Sequence, residues 1–134
     1  MLRLTVQTEF RSSHSLGVPE HRRDELGEIC DIEHGHQYFL RATFIGSPSS
    51  VSGVLCERQT LSNLMSHTVR AHLHNQNLNS ILPQTSGEAI AKWCFEQLQQ
   101  QDVKTVQLER VELVETKKNS FHYPALSAQP WHLR

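Results

Sequence analysis

"CDIEHGHQYFLRATFIG", residues 30–46, joins a thiol and two histidines to a run that changes character at His36. From His36 to Gly46 apolar and polar residues alternate, aromatic and β-branched types are frequent, and the run stops at Gly46, Ser47 and Pro48. That pattern reads as a half-buried β-strand closed by a turn. Residues two apart on a strand point to the same face, so His34 and His36 can reach one ion, and Gly35 between them permits close backbone approach. Zinc accepts imidazole nitrogen, and a catalytic zinc takes three protein ligands while leaving one position open. The third ligand expected is His14 in "FRSSHSL" (residues 10–16), at the end of an earlier alternating run, "LRLTVQTEFR" (2–11). Neighbouring antiparallel strands would set it beside the pair. The competing reading is three unrelated polar histidines.

The rest of the chain supplies the layers around these strands. Residues 15–30 carry Gly17, Pro19, Gly27 and many charges without a period, and read as a long loop. After the soft turn "SPSSVSG" (47–53), Leu61, Leu64, Met65, Val69 and His72 mark one face of an amphipathic helix beginning near Glu57. "LHNQNLNSILPQ" (73–84) breaks it. A second helix follows in "TSGEAIAKWCFEQLQQQ", with Ser86 as cap and Ile90, Trp93, Cys94 and Leu98 as the buried stripe. "VKTVQLERVELVET" (103–116) returns to strand alternation through Val106, Leu108, Val111 and Val114, with a slip in phase at Glu109-Arg110 that predicts a bulge. "FHY" (121–123) adds a last short strand. The order ββααββ predicts an α+β fold: a four-stranded antiparallel sheet with two helices on one face. One domain is expected over 1–123, with 124–134 as a C-terminal tail.

Composition excludes several classes of function. Thirteen Lys and Arg against fourteen Asp and Glu give a net charge of -1, so nucleic acid has no electrostatic claim on the chain. No apolar stretch is long enough to span a membrane, and the alternating N-terminus does not read as a secretory signal. Three cysteines, Cys30, Cys56 and Cys94, have no paired spacing, which argues against a disulfide framework. A cytoplasmic protein is expected. The 37% apolar content is lean, and association into a homo-oligomer would bury the remaining surface.

Taken together, "SSHSL", "CDIEHGH", the two helical segments and "VELVET" resemble the 6-pyruvoyl-tetrahydropterin synthase and 6-carboxytetrahydropterin synthase family, over about residues 3 to 123. The resemblance implies the tunnelling fold, in which sheets of adjacent subunits join into a barrel and two trimeric rings stack as a hexamer. It implies Zn(II) on His14, His34 and His36, and a pterin substrate between subunits. Cys30 would be the general base that takes a proton from the pterin side chain. Glu115 would anchor the ring, its two oxygens matching the guanidine-like edge, with Thr116 following it as in the family. The implied reaction is a zinc-dependent lyase step on the side chain of 7,8-dihydroneopterin triphosphate. Its product would be the carboxy compound on the route to 7-deazaguanine (queuosine) or, alternatively, the pyruvoyl compound. Arg11, Arg22, Arg23, Lys117 and Lys118 are cations available to phosphate, and equally ordinary surface.

One departure bears on catalysis. Family members carry L-D-H-x-x-L-N, and this chain reads "LHNQNLN" (73–79), with His74 in place of Asp and Asn75 in place of His. Asn exchanges no protons near neutral pH. Three readings stay open: His74 itself supplies the acid, the reaction needs only zinc and Cys30, or the chain binds pterin with impaired turnover. "GVLCER" (53–58) and "QTSGE" (84–88) also depart from the family pattern: Glu57 preserves a helix-start carboxylate, and Glu88 reads first as a cap of the second helix and second as a contact to the pterin.

Overall fold

The computed structural model describes residues 1–16 and 33–125. Cys30, Arg22 and Arg23 therefore lie outside the described residues, as does nearly all of the expected tail. Four strands form one antiparallel sheet in the order β1 (Leu2–His14), β2 (His34–Gly46), β3 (Gln107–Thr116), β4 (Asn119–Tyr123). β1 and β2 pair along their whole length, from Leu2 opposite Gly46 to His14 opposite His34. The alternation in the sequence becomes a physical sidedness. Phe10, Ser12 and His14 of β1 and Tyr38, Leu40, Ala42 and Phe44 of β2 are buried, while Arg11, Gln37 and Arg41 between them are exposed.

Helix α1 runs through an α segment (Arg58–Met65), a π turn (Ser66–Arg70) and a final α turn (Ala71–Leu73). Its buried members are Leu61, Met65, Val69 and Leu73, each step four residues. Four residues exceed one α-turn by about 40°, so such a stripe would drift off the sheet, and the wider π turn takes up the excess. The last member is accordingly Leu73; His72, expected in the stripe, is exposed. Helix α2 (Gly87–Gln99) starts as expected at Ser86, whose hydroxyl accepts from the Ala89 amide at 3.2 Å. It buries Ile90, Ala91, Cys94, Phe95 and Leu98, with Trp93 only partly covered. Gly87 is required there, because a Cβ would collide with the Phe121 ring of β4. Both helices pack on the inward face around Phe10, Tyr38, Leu40 and Phe44.

β3 begins at Gln107, later than the expected 103, because residues 104 and 105 turn and leave Val103 and Val106 to pack on the core from outside the strand. The expected bulge is present. Thr43 faces Arg110 and Phe44 faces Leu108, which leaves Glu109 as the extra residue. After it the inward phase is odd-numbered, so Val111 and Leu113 are fully buried and Val114 is not. A second irregularity follows: Val114 faces Ser120 and Thr116 faces Asn119, so Glu115 has no partner position on β4. Bulged residues re-aim their side chains, and this one brings a carboxylate to the histidine end of the sheet.

Candidate metal centre

His14 and His34 are direct cross-strand neighbours, and His36 lies two residues further on the same face, so register alone gathers three imidazoles. Their ligand atoms all lie within 4.8 Å of one another. The Nε2 atoms of His14 and His34 are 3.1 Å apart. Nitrogens bound tetrahedrally at zinc distances of about 2.0–2.1 Å stand about 3.3 Å from each other. His14 is buried, and its Nδ1 lies 2.6 Å from the Thr85 carbonyl oxygen. Because a carbonyl only accepts, Nδ1 carries the proton and Nε2 presents its lone pair to the cluster. His36 Nε2 is buried without a hydrogen-bond partner, and burial, with the neighbouring imidazoles, holds its pKa below the ordinary value, while the Glu115 carboxylate opposes the shift. A neutral ring with an unused nitrogen in an all-imidazole set suits zinc. The three residues fit the ion.

Two side chains beside the triad complete its surroundings. The Tyr38 ring is edge-on to both His14 and His36, at 6.3 Å and 5.4 Å between centroids. Burial and the Glu115 charge push its phenol well above the ordinary value. Glu115 thus acts electrostatically on both His36 and Tyr38, from the bulge at the end of β3. Thr116 is placed differently. Its hydroxyl donates to Asn119 Oδ1 and accepts from the Lys118 amide, so it serves the β3–β4 turn.

The segment after α1 straps the outer edge of β1. Asn75 donates its amide to Arg11 O at 2.7 Å, and Ser13 donates its own to Gln76 O at 3.0 Å. Asn75 adopts φ 57°, a left-handed conformation that Asn tolerates. His74 belongs to this strap. Its Nδ1 accepts from the Arg11 amide at 3.1 Å, and Arg70 Nη2 lies 3.2 Å from Nε2. Arg11 is three residues before His14, about 10 Å along a strand, so the described chain does not bring His74 to the triad. Partial burial, Arg70 and Arg11 hold its pKa below the ordinary value.

Sequence reasoning missed two parts of the centre. One is the Thr85–Asn79 clamp: Asn79 accepts from the Ser15 amide at 2.7 Å and donates to Ser15 O at 2.8 Å, while the Thr85 hydroxyl donates to the same oxygen at 3.2 Å. It fixes the chain directly after His14. The contact to the metal ligand itself is a backbone carbonyl, which no residue type advertises. The other is Tyr38, which H-x-H-x-Y spacing placed on the ligand face. Cys94 is completely buried and its thiol pushed up by burial, as its place on the apolar stripe implied.

The model for "6-pyruvoyl tetrahydropterin synthase" matches residues 3–125. The chain belongs to the 6-pyruvoyl tetrahydropterin synthase family. Membership supports a pterin-related, lyase-type function. The fold is similar to that of 6-pyruvoyl tetrahydropterin synthase from Caenorhabditis elegans, with a TM-score of 0.79 at 21% identity over 93% of this chain and 96% of that one. It is also similar to an uncharacterized protein from Wolinella succinogenes, with a TM-score of 0.66 at 14% identity over 90% and 96% of the two chains. At these identities the likeness concerns the fold. No curated protein matches the chain in sequence.

Proposed function

We propose that this member of the family is a zinc-dependent lyase acting on the side chain of 7,8-dihydroneopterin triphosphate, with a 6-carboxy-5,6,7,8-tetrahydropterin product like that of 6-carboxytetrahydropterin synthase. The observation that carries the reading is the three-imidazole cluster, with ligand atoms within 4.8 Å and a carboxylate at hand. His14, His34 and His36 would hold Zn(II). When bound, the ion would act as a Lewis acid that lowers the pKa of the substrate's side-chain hydroxyls. Thr85 keeps His14 in the tautomer that can ligate. Glu115 would accept hydrogen bonds from the amino edge of the pterin, and Cys30, four positions before His34 in sequence, would take the side-chain proton. Carbon–carbon cleavage with uptake of one water would release acetaldehyde and triphosphate, toward 7-deazaguanine synthesis.

The similarity to a 6-pyruvoyl tetrahydropterin synthase favours the pyruvoyl product as the second outcome. His74 on the strap of β1, with Asn75 beside it, favours a third, a pterin-binding paralogue with impaired turnover. We place the enzyme in the cytoplasm as a hexamer of two stacked trimers; a four-stranded sheet has two edges that subunit association would cover. No helix among the described residues is long and apolar enough to cross a membrane. The test is incubation of the zinc-loaded protein with 7,8-dihydroneopterin triphosphate, followed by mass spectrometry of the pterin. The carboxy product is expected; unchanged substrate under single-turnover conditions overturns the enzymatic reading.

A further inference from the structure

Two buried polar side-chain atoms among the described residues have no hydrogen-bond partner, His36 Nε2 and the Tyr38 hydroxyl. They belong to residues two apart on one face of β2, with ring centroids 5.4 Å apart. The imidazole orphan is accounted for by the triad, whose donor set calls for a metal. The phenol is not. Protein ligands to zinc are thiolates, imidazoles and carboxylates, and a triad of imidazoles with one open position has no need of a fourth side chain.

Packing does not explain the hydroxyl either. The Tyr38 ring is completely buried and stacks on Phe10 at 4.9 Å with an interplanar angle of 18°. Phenylalanine would make the same stack. A hydroxyl buried without a partner costs stability that the isosteric phenyl ring would not, so the extra oxygen destabilises the chain alone. Glu115 is near enough to act on Tyr38 through its charge, yet does not accept from it. No described residue accepts from it, and an acceptor that arrives with a ligand would complete it.

We infer that the Tyr38 hydroxyl donates a hydrogen bond to a ligand oxygen held at the position the three histidines leave open, and that Tyr38 thereby selects hydroxyl- and carbonyl-bearing side chains. The identification of that oxygen with the pterin side chain rests on the function proposed above; the contact itself does not. The ligand class is an α-hydroxyketone or vicinal diol, whose neighbouring oxygens can meet both the metal and the phenol. Tyr38 touches the ligand and not the metal, so its loss should separate ligand affinity from metal affinity.

The experiment compares wild type with Tyr38→Phe. Each protein is loaded with Co(II) as a spectroscopic substitute for zinc and titrated with hydroxyacetone, read by the shift of the cobalt visible bands. The variant is expected to bind the probe about tenfold more weakly, the loss of one hydrogen bond. Its zinc affinity should be unchanged, and its metal-free melting temperature equal or higher. Equal probe affinity in the two proteins overturns the inference. So does loss of zinc in Tyr38→Phe, or a wild-type spectrum indifferent to the probe. If hydroxyacetone binding depends on Tyr38 while 7,8-dihydroneopterin triphosphate is left unchanged, the contact stands and the pterin reading falls.

Discussion

The inward face of the β1–β2 ladder has two ends made by the same alternation. At one end Leu40, Ala42 and Phe44 bury carbon against the helices; at the other, Ser12, His14, His34, His36 and Tyr38 place nitrogen and oxygen on the same face. Backbone geometry does not distinguish them. The apolar end is complete once the helices cover it. The polar end needs partners one by one, and the last residue of α1 and the segment that follows it supply two of them. Ser12 donates to the Leu73 carbonyl and His14 to that of Thr85. Among the described residues, His36 Nε2 and the Tyr38 hydroxyl are left over. Periodicity therefore decides which side is buried, and residue type decides whether that burial is finished by the fold or waits for a ligand.

Substitutions at the two ends should fail in different ways. The largest effect is expected from His36→Ala. With one of three ligands gone, zinc affinity in a chelator competition should fall by more than the roughly hundredfold cost of losing an outer-shell partner, while urea unfolding of the metal-free protein stays close to wild type, since the lost nitrogen had no partner. Retention of tight zinc would break the comparison by moving the centre elsewhere. Next comes Leu40→Ala at the apolar end. A fully buried leucine should cost about 2–5 kcal/mol in urea unfolding, with zinc affinity of the folded protein preserved. Asn79→Ala should fall between the two kinds. It removes the grip on Ser15 without emptying core volume, so zinc should bind about tenfold more weakly with a small change in stability.

Much of this was legible because it depends on side chains at fixed spacing. Alternation gave β1 and β2 and their sidedness, the phase slip gave the bulge at Glu109, Ser86 gave the start of α2, and H-x-H with an upstream histidine gave the triad. Features set by the backbone were not legible. The π turn that puts Leu73 inside and His72 outside responds to a drift accumulated over three turns. The bulge at Glu115 arises from pairing with a strand too short to show a pattern. Thr85 acts through its carbonyl, which every residue has. Register also carries β1 three residues beyond the alternating run 2–11, to His14, and starts β2 at His34, two residues before the run that begins at His36.

The smallest effect concerns His74, and it sharpens the contrast between a histidine that serves the strap and those that serve the centre. Its ring is held by the Arg11 amide and lies against Arg70, and partial burial with these two cations depresses its pKa from the ordinary 6.5. The folded chain therefore resists a proton that the unfolded chain accepts near 6.5. By linkage the strap's contribution to stability is present above that pH and is lost as pH falls through the lower, folded value. In an NMR titration the His74 ring protons should show a midpoint below 6.5, and His74→Gln should remove that part of the acid sensitivity of the strap without changing zinc affinity at neutral pH. A depressed midpoint makes His74 a neutral ring at pH 7, able to accept a proton but rarely carrying one to give. A midpoint above 7 would reverse the sign, and would return His74 to contention as the acid of the reaction, in the position where the family places its Asp-His pair.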